Sequence, residues 1–142
     1  MYSTNLVARL FFAIGLLAAS FALAHDHGTA PVASIEVNDA KELVADDADA
    51  IILDVRMPIE FETSHISGSV NVDVQNEDFK EMAATLDPDK TYIVHCTKNP
   101  VGGRSSRALE TLQELGFENL YSLDGGYIAW KEADLPLTEP SN

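Results

Sequence analysis

Short runs suited to buried strands recur along this chain, each separated from the next by a stretch with helical spacing. That alternation restricts it to one fold class. Ala50–Asp54 (AIILD) is an almost unbroken apolar run, and Thr91–His95 (TYIVH) is β-branched and aromatic, so both read as buried strands. Ser34–Val37, Ser69–Val72 and Leu120–Leu123 read as three more. Asn38 is placed to cap a helix over Ala40–Val44, closed by the acidic turn around Asp46–Asp49. Pro58 suits the first turn of a short helix reaching Phe61. A helix is expected near Glu77–Thr85, ahead of the Asp87-Pro88-Asp89 turn. Another spans Ser105–Leu115 through Leu109, Leu112 and Leu115, with Gly116 as its stop, and a last one Gly126–Ala133. Strands and helices alternating at this spacing predict an α/β fold, a single domain with a central parallel sheet and helices on both faces.

Residues 1–24 stand apart. Arg9 is followed by fifteen uncharged, largely apolar residues, Leu10 to Ala24, ending in the small-x-small pattern Ala22-Leu23-Ala24. A run this short reads as a secretory signal peptide cleaved after Ala24, since a spanning helix wants about 20 apolar residues. Export to the periplasm, with no membrane attachment after cleavage, is the expectation. Residues 25–33 (HDHGTAPVA) read as a flexible lead-in, 34–138 as the folded domain and 139–142 as a tail. Cleavage would expose His25-Asp26-His27, whose amine, amides and third-position imidazole could ligate Cu(II) or Ni(II). An incidental polar tail is the preferred reading there, so no metal site is expected.

With 9 basic and 23 acidic residues among 142, the formal net charge is −14. This argues against nucleic acid and against an anionic membrane surface as partners. One cysteine, Cys96, excludes an intramolecular disulfide. Exported chains usually avoid a lone thiol, so Cys96 calls for a reason.

Parallel α/β sheets place ligands outside the carboxyl ends of their strands. Cys96 lies at such an end, after Thr91–His95. It is followed by Thr97, Lys98, Asn99, Pro100, Val101, Gly102, Gly103 and Arg104, with a helix beginning at Ser105 and Ser106. Loop amides and a helix N-terminus offer N–H donors, while Lys98 and Arg104 add positive charge. Together they should depress the thiol pKa and hold an oxyanion beside it. Gly102 and Gly103 are expected to curl the backbone with φ > 0 so that its donors converge. A buried, inert cysteine closing a strand is the plainer alternative.

Three blocks resemble the single-domain rhodanese (thiosulfate sulfurtransferase) family. Leu53–Val74 is similar to its D-x-R-x-x-x-E-[FY]-x-x-x-H-I-x-G-[AS] segment. Gly102–Phe117 (GGRSSRALETLQELGF) is similar to its active loop and following helix. Leu123, Gly125, Gly126 and Trp130 match its Leu-x-Gly-Gly-x-x-x-Trp ending. The resemblance implies that Cys96 takes a sulfur from a thiosulfate-like donor as a persulfide and passes it to a thiol or cyanide-like acceptor, without metal or organic cofactor. It implies that Arg104 binds the donor's oxyanion or supports the loop, that Asp54, Arg56 and Glu60 brace the site, and that His65 helps position the loop. A core histidine with a satisfied hydrogen bond is the simpler account of His65. His95 resembles the His-Cys pair of cysteine phosphatases, yet adjacent strand side chains point to opposite faces, so it cannot simply act as the base of Cys96.

One departure bears on the substrate. Seven residues separate Cys96 from Arg104, against four in sulfurtransferases of this family and five in the related phosphatases and arsenate reductases. Either the pocket is wider, or the insert bulges outward. Pro100 has no N–H to donate to a ligand. A cysteine phosphatase or arsenate reductase, and a non-catalytic persulfide carrier or thiol sensor, are the alternative readings.

Overall fold

The computed structural model describes residues 31–140. In chain order the strands are β1 (Ala33–Ile35), β2 (Ala50–Asp54), β3 (His65–Ile66), β4 (Val70–Asn71), β5 (Thr91–His95), β6 (Leu120–Leu123) and β7 (Leu137–Thr138). The helices are α1 (Val37–Asp46), α2 (Pro58–Thr63), α3 (Phe79–Ala83), α4 (Arg104–Glu114) and α5 (Gly126–Glu132). Five strands form one sheet in the order β1-β6-β5-β2-β4, every pairing parallel. The expected α/β fold with a central parallel sheet is present.

Strand alternation divides the core into two layers. Leu53, Val55, Tyr92, Val94 and Cys96 face Ala108, Leu109 and Leu112 of α4 and Phe79 of α3. Ile52, Ile93 and Leu123 face Ala40 of α1 and Tyr127 and Trp130 of α5. The two central strands are therefore covered on both sides, which is why their sequences lack a polar alternation. Phe117 and Trp130 are both core residues. Among the described residues no helix is long and apolar enough to cross a membrane.

Several boundaries move. β1 begins at Ala33, inside the stretch read as a lead-in, and stops at Ile35 rather than Val37. Helix α1 starts at Val37, with Glu36 rather than Asn38 as its cap. The stripe Val37, Ala40, Leu43 and Val44 packs as a unit with Ile52, Ile93 and Leu123, and that packing outweighs the capping preference of Asn38. Helix α3 is shorter than Glu77–Thr85 because Asn76 Oδ1 accepts the Asp78 N–H at 2.9 Å, committing that segment to a turn. Helix α4 ends as expected: Phe117 N–H donates to Leu112 O at 3.1 Å and Gly116 N–H to Gln113 O at 3.0 Å, with Gly116 at φ +89°. The antiparallel pair β3–β7 is an addition that ties residues 137–138 to the segment after α2.

Candidate active site

The site is assembled at the carboxyl ends of β2 and β5, as the topology requires. Cys96 follows the last residue of β5 and its side chain is buried, 3% exposed, against the α4 layer. Its Sγ lies 3.6 Å from Ser105 Oγ, and the main-chain N–H groups of Ser105, Asn99 and Lys98 are directed at it. Burial pushes the thiol pKa up. The Ser105 hydroxyl and the three amides outweigh it and draw the thiol below the ordinary cysteine value. Ser105 sits in the first turn of the eleven-residue helix α4, so the helix N-terminus reinforces the effect.

The donors that reach the sulfur are not all those expected. Of the two glycines only Gly102 takes a positive φ, +73°, while Gly103 lies at φ −81°; Gly102 N–H donates to Ser106 Oγ at 3.1 Å, and Gly103 N–H donates to Pro100 O at 2.9 Å. A Cβ on Gly103 would come within 2.9 Å of Pro100 O. The two glycines therefore close a turn over Pro100–Gly103 instead of donating to Cys96. Val101, at the tip of that turn, is fully exposed. The longer loop bulges outward, and the donors to the sulfur come from Lys98, Asn99 and Ser105.

Arg104 is likewise committed within the protein. Its Nη1 pairs with Glu60 Oε2, while Nη2 donates to Glu60 Oε1 at 3.1 Å and to Thr97 Oγ1 at 2.7 Å. Thr97 Oγ1 donates to Glu60 Oε1 at 3.2 Å. Arg104, Glu60 and Thr97 thus lock α4, α2 and the loop together. The Arg104 hydrogen bonds hold the Glu60 carboxyl below its usual range, against the opposing effect of burial. Lys98 has an exposed side chain, and its contribution to the sulfur is its amide.

Asp54 and Arg56 form a buried ion pair: Arg56 Nη2 lies 2.6 Å and Nε 3.0 Å from Asp54 Oδ2, and Arg56 Nη2 also donates to Ser64 O at 2.9 Å. The guanidinium lies 4.2 Å from the Tyr127 ring centroid. His65 is stacked on Phe61 with ring centroids 3.8 Å apart, and its Nδ1 is bonded to Phe61 O at 2.8 Å, so it fixes the end of α2. His95 points to the face opposite Cys96. Its Nδ1 lies 3.0 Å from Cys96 O, its Nε2 has no hydrogen-bond partner, and Asp54 Oδ2 is 3.7 Å away. Burial lowers the His95 pKa, against the raising influence of Asp54.

Helix α5 contributes to the site through backbone contacts that residue pattern alone does not reveal. Tyr127 N–H donates to Cys96 O and Ile128 N–H to Thr97 O, both at 3.0 Å. Gly126, at φ +60°, is where α5 meets the loop. The Gly125-Gly126 pair was the available signal, but which backbone it would approach is a property of the folded chain. Among the described residues no three His, Cys, Asp or Glu side chains gather as a metal site. His25 and His27 lie outside the described residues.

A sheet of this topology with a single polarised thiol at its carboxyl edge defines a class, and comparison with known proteins supplies its family. The rhodanese-like domain profile matches residues 36–133, and the chain belongs to that family. An uncharacterized protein of Synechocystis sp. is 34% identical over 95 residues, 66% of this chain, and the chain spans 50% of that protein's length. Thiosulfate sulfurtransferase GlpE of Shewanella oneidensis is 37% identical over 83 residues, covering 58% of this chain and 77% of that one. The crystal structure of a rhodanese-related protein from Thermoplasma volcanium superposes with a TM-score of 0.64 at 31% identity, covering 76% of this chain and 99% of its own.

Proposed function

We propose that this protein is a sulfurtransferase that carries a sulfane sulfur on Cys96. The observation that carries the proposal is the convergence of the Ser105 hydroxyl and the Ser105, Asn99 and Lys98 amides on a buried sulfur. Such donors favour the thiolate, which is the nucleophile, and they also fit the anionic terminal sulfur of a persulfide. The similarity to thiosulfate sulfurtransferase GlpE supports thiosulfate or a close analogue as the donor.

In the first step the Cys96 thiolate attacks the outer sulfur of thiosulfate. A new S–S bond forms, the donor's own S–S bond breaks, and sulfite leaves with the electron pair. In the second step a thiophilic nucleophile, cyanide in the test tube or a thiol in the cell, attacks the terminal sulfur and returns Cys96 as the thiolate. Atoms and electron pairs balance in both steps, so neither calls for an external oxidant or reductant. Arg104, Glu60 and Thr97 keep the loop folded around the sulfur, and Asp54 and Arg56 hold the end of β2 beneath it.

The outward course of Pro100–Gly103 supports sulfur transfer over phosphate-ester or arsenate chemistry, because the Gly102 and Gly103 amides are spent on Ser106 Oγ and Pro100 O and Pro100 has no N–H to offer a larger oxyanion. Steady-state formation of thiocyanate from thiosulfate and cyanide tests the reading. Turnover that disappears in Cys96→Ser supports it. Turnover of phosphate esters, lost in the same variant and with no thiocyanate formed, overturns it. We also propose that residues 1–24 direct export and are removed after Ala24; a mature protein in the periplasmic fraction beginning at His25 is the expected result.

A further inference from the structure

We propose that Asn99, which belongs to the part of the loop that is longer than usual, is the positioning residue that folds this loop into a thiolate cradle. Its backbone is left-handed, at φ +48°, a conformation that asparagine tolerates better than most side chains. Its carboxamide is used at both ends. Oδ1 accepts the Cys96 N–H, while Nδ2 donates to Val94 O at 3.1 Å and to Ser122 Oγ at 3.3 Å. The orientation is fixed chemically, since a main-chain N–H can only donate and a carbonyl can only accept.

These bonds turn the chain back on itself within four residues of Cys96. The side chain spans from β5 to Ser122 of β6 and holds the peptide at the nucleophile. The reversal brings the Asn99 and Lys98 amides back onto Sγ. The chain can then leave outward through Pro100 and Val101 without disturbing the cradle. Gly126 closes the other side: a Cβ there would stand 3.0 Å from Asn99 Oδ1. Asn99 touches the nucleophile's backbone and not the reacting atoms through its side chain, so its action on the thiol is indirect.

The inference rests on Cys96 being the reactive group, and its test is independent of sulfur transfer. The full chain and Asn99→Gly are alkylated with iodoacetamide across a pH series. Glycine keeps the left-handed backbone and the N–H at position 99 while removing the carboxamide. The expected result is a rise of about one pH unit in the alkylation midpoint, seen as about tenfold slower alkylation at pH values below both midpoints. Ser122→Ala, which removes only the outer bond of the carboxamide, is expected to keep the wild-type midpoint. A folded Asn99→Gly variant with an unchanged midpoint overturns the proposal. Should that variant fail to fold, the wild-type Asn99 side-chain amide decides by NMR. Slow hydrogen exchange of its Nδ2 protons supports the clamp, and exchange as fast as that of a surface asparagine overturns it.

Discussion

Gly126 and Cys96 approach so closely that a single added methyl group at Gly126 would stand 2.7 Å from the Cys96 carbonyl oxygen. The first turn of α5 is pressed against the peptide that carries the nucleophile, and its next two amides satisfy the carbonyls of Cys96 and Thr97. Gly126→Ala adds this clash to the cost of a left-handed backbone, about 1 kcal/mol or more for a residue with a Cβ. A loss of stability of about 2 kcal/mol or more is expected in thermal or urea unfolding, together with slower alkylation of Cys96.

Ser105 gives the sulfur both a hydroxyl and an amide. Ser105→Ala removes the hydroxyl and keeps the amide, so the thiol should titrate about one pH unit higher. The same substitution should slow thiocyanate formation several-fold at neutral pH. Alkylation rate against pH and steady-state assays check the two effects separately.

The depressed Cys96 pKa also links reactivity to folding. A thiol that ionises more readily folded than unfolded contributes stability that is fully present above the unfolded thiol pKa. That contribution is lost as pH falls through the folded value. The difference in unfolding free energy between wild type and Cys96→Ser should therefore grow with rising pH through that window. Urea unfolding at a series of pH values measures it.

His95 acts in the opposite part of the pH range. Burial keeps its folded pKa below the ordinary 6.5, so the unfolded chain takes up a proton first as the solution is acidified. Stability is full above pH 6.5 and falls as pH drops through the folded value. His95→Asn should flatten the decline of unfolding free energy just below pH 6.5, whatever its effect at pH 8.

The Arg104–Glu60 pair is part exposed, so its direct contribution to stability is expected to be within about 1 kcal/mol. Its effect on the loop should be larger than its effect on the fold. Arg104→Lys cannot reproduce the two-point contact with Glu60 or the reach to Thr97. It should lower kcat while the melting temperature changes by only a few degrees.

The parts of this molecule set by residue pattern could be read before any coordinates. β2 and β5 announce themselves by unbroken runs, α4 by its leucine spacing and Gly116 stop, and the nucleophile by its place at the end of a parallel strand. The parts set by cross-chain contacts could not. Asn38 lost the helix start because Val37 had core to bury against. The pair β3–β7 has two residues in each strand, too few for any periodicity. Gly102 and Gly103 signal a loop whose backbone curls so that its donors converge, but not that their own amides go to Ser106 Oγ and Pro100 O. Arg104 was identified as a site residue, whereas its engagement by Glu60, 44 positions earlier, is visible only in three dimensions.

Sulfur carriage by Cys96 is tested most directly by the intact mass of the reduced protein before and after incubation with thiosulfate, with Cys96→Ser alongside. The account predicts a gain of one sulfur atom in the wild type, none in the variant, and its discharge as thiocyanate when cyanide is added. A wild-type protein that gains no sulfur, although its Cys96 is free and readily alkylated, would contradict it.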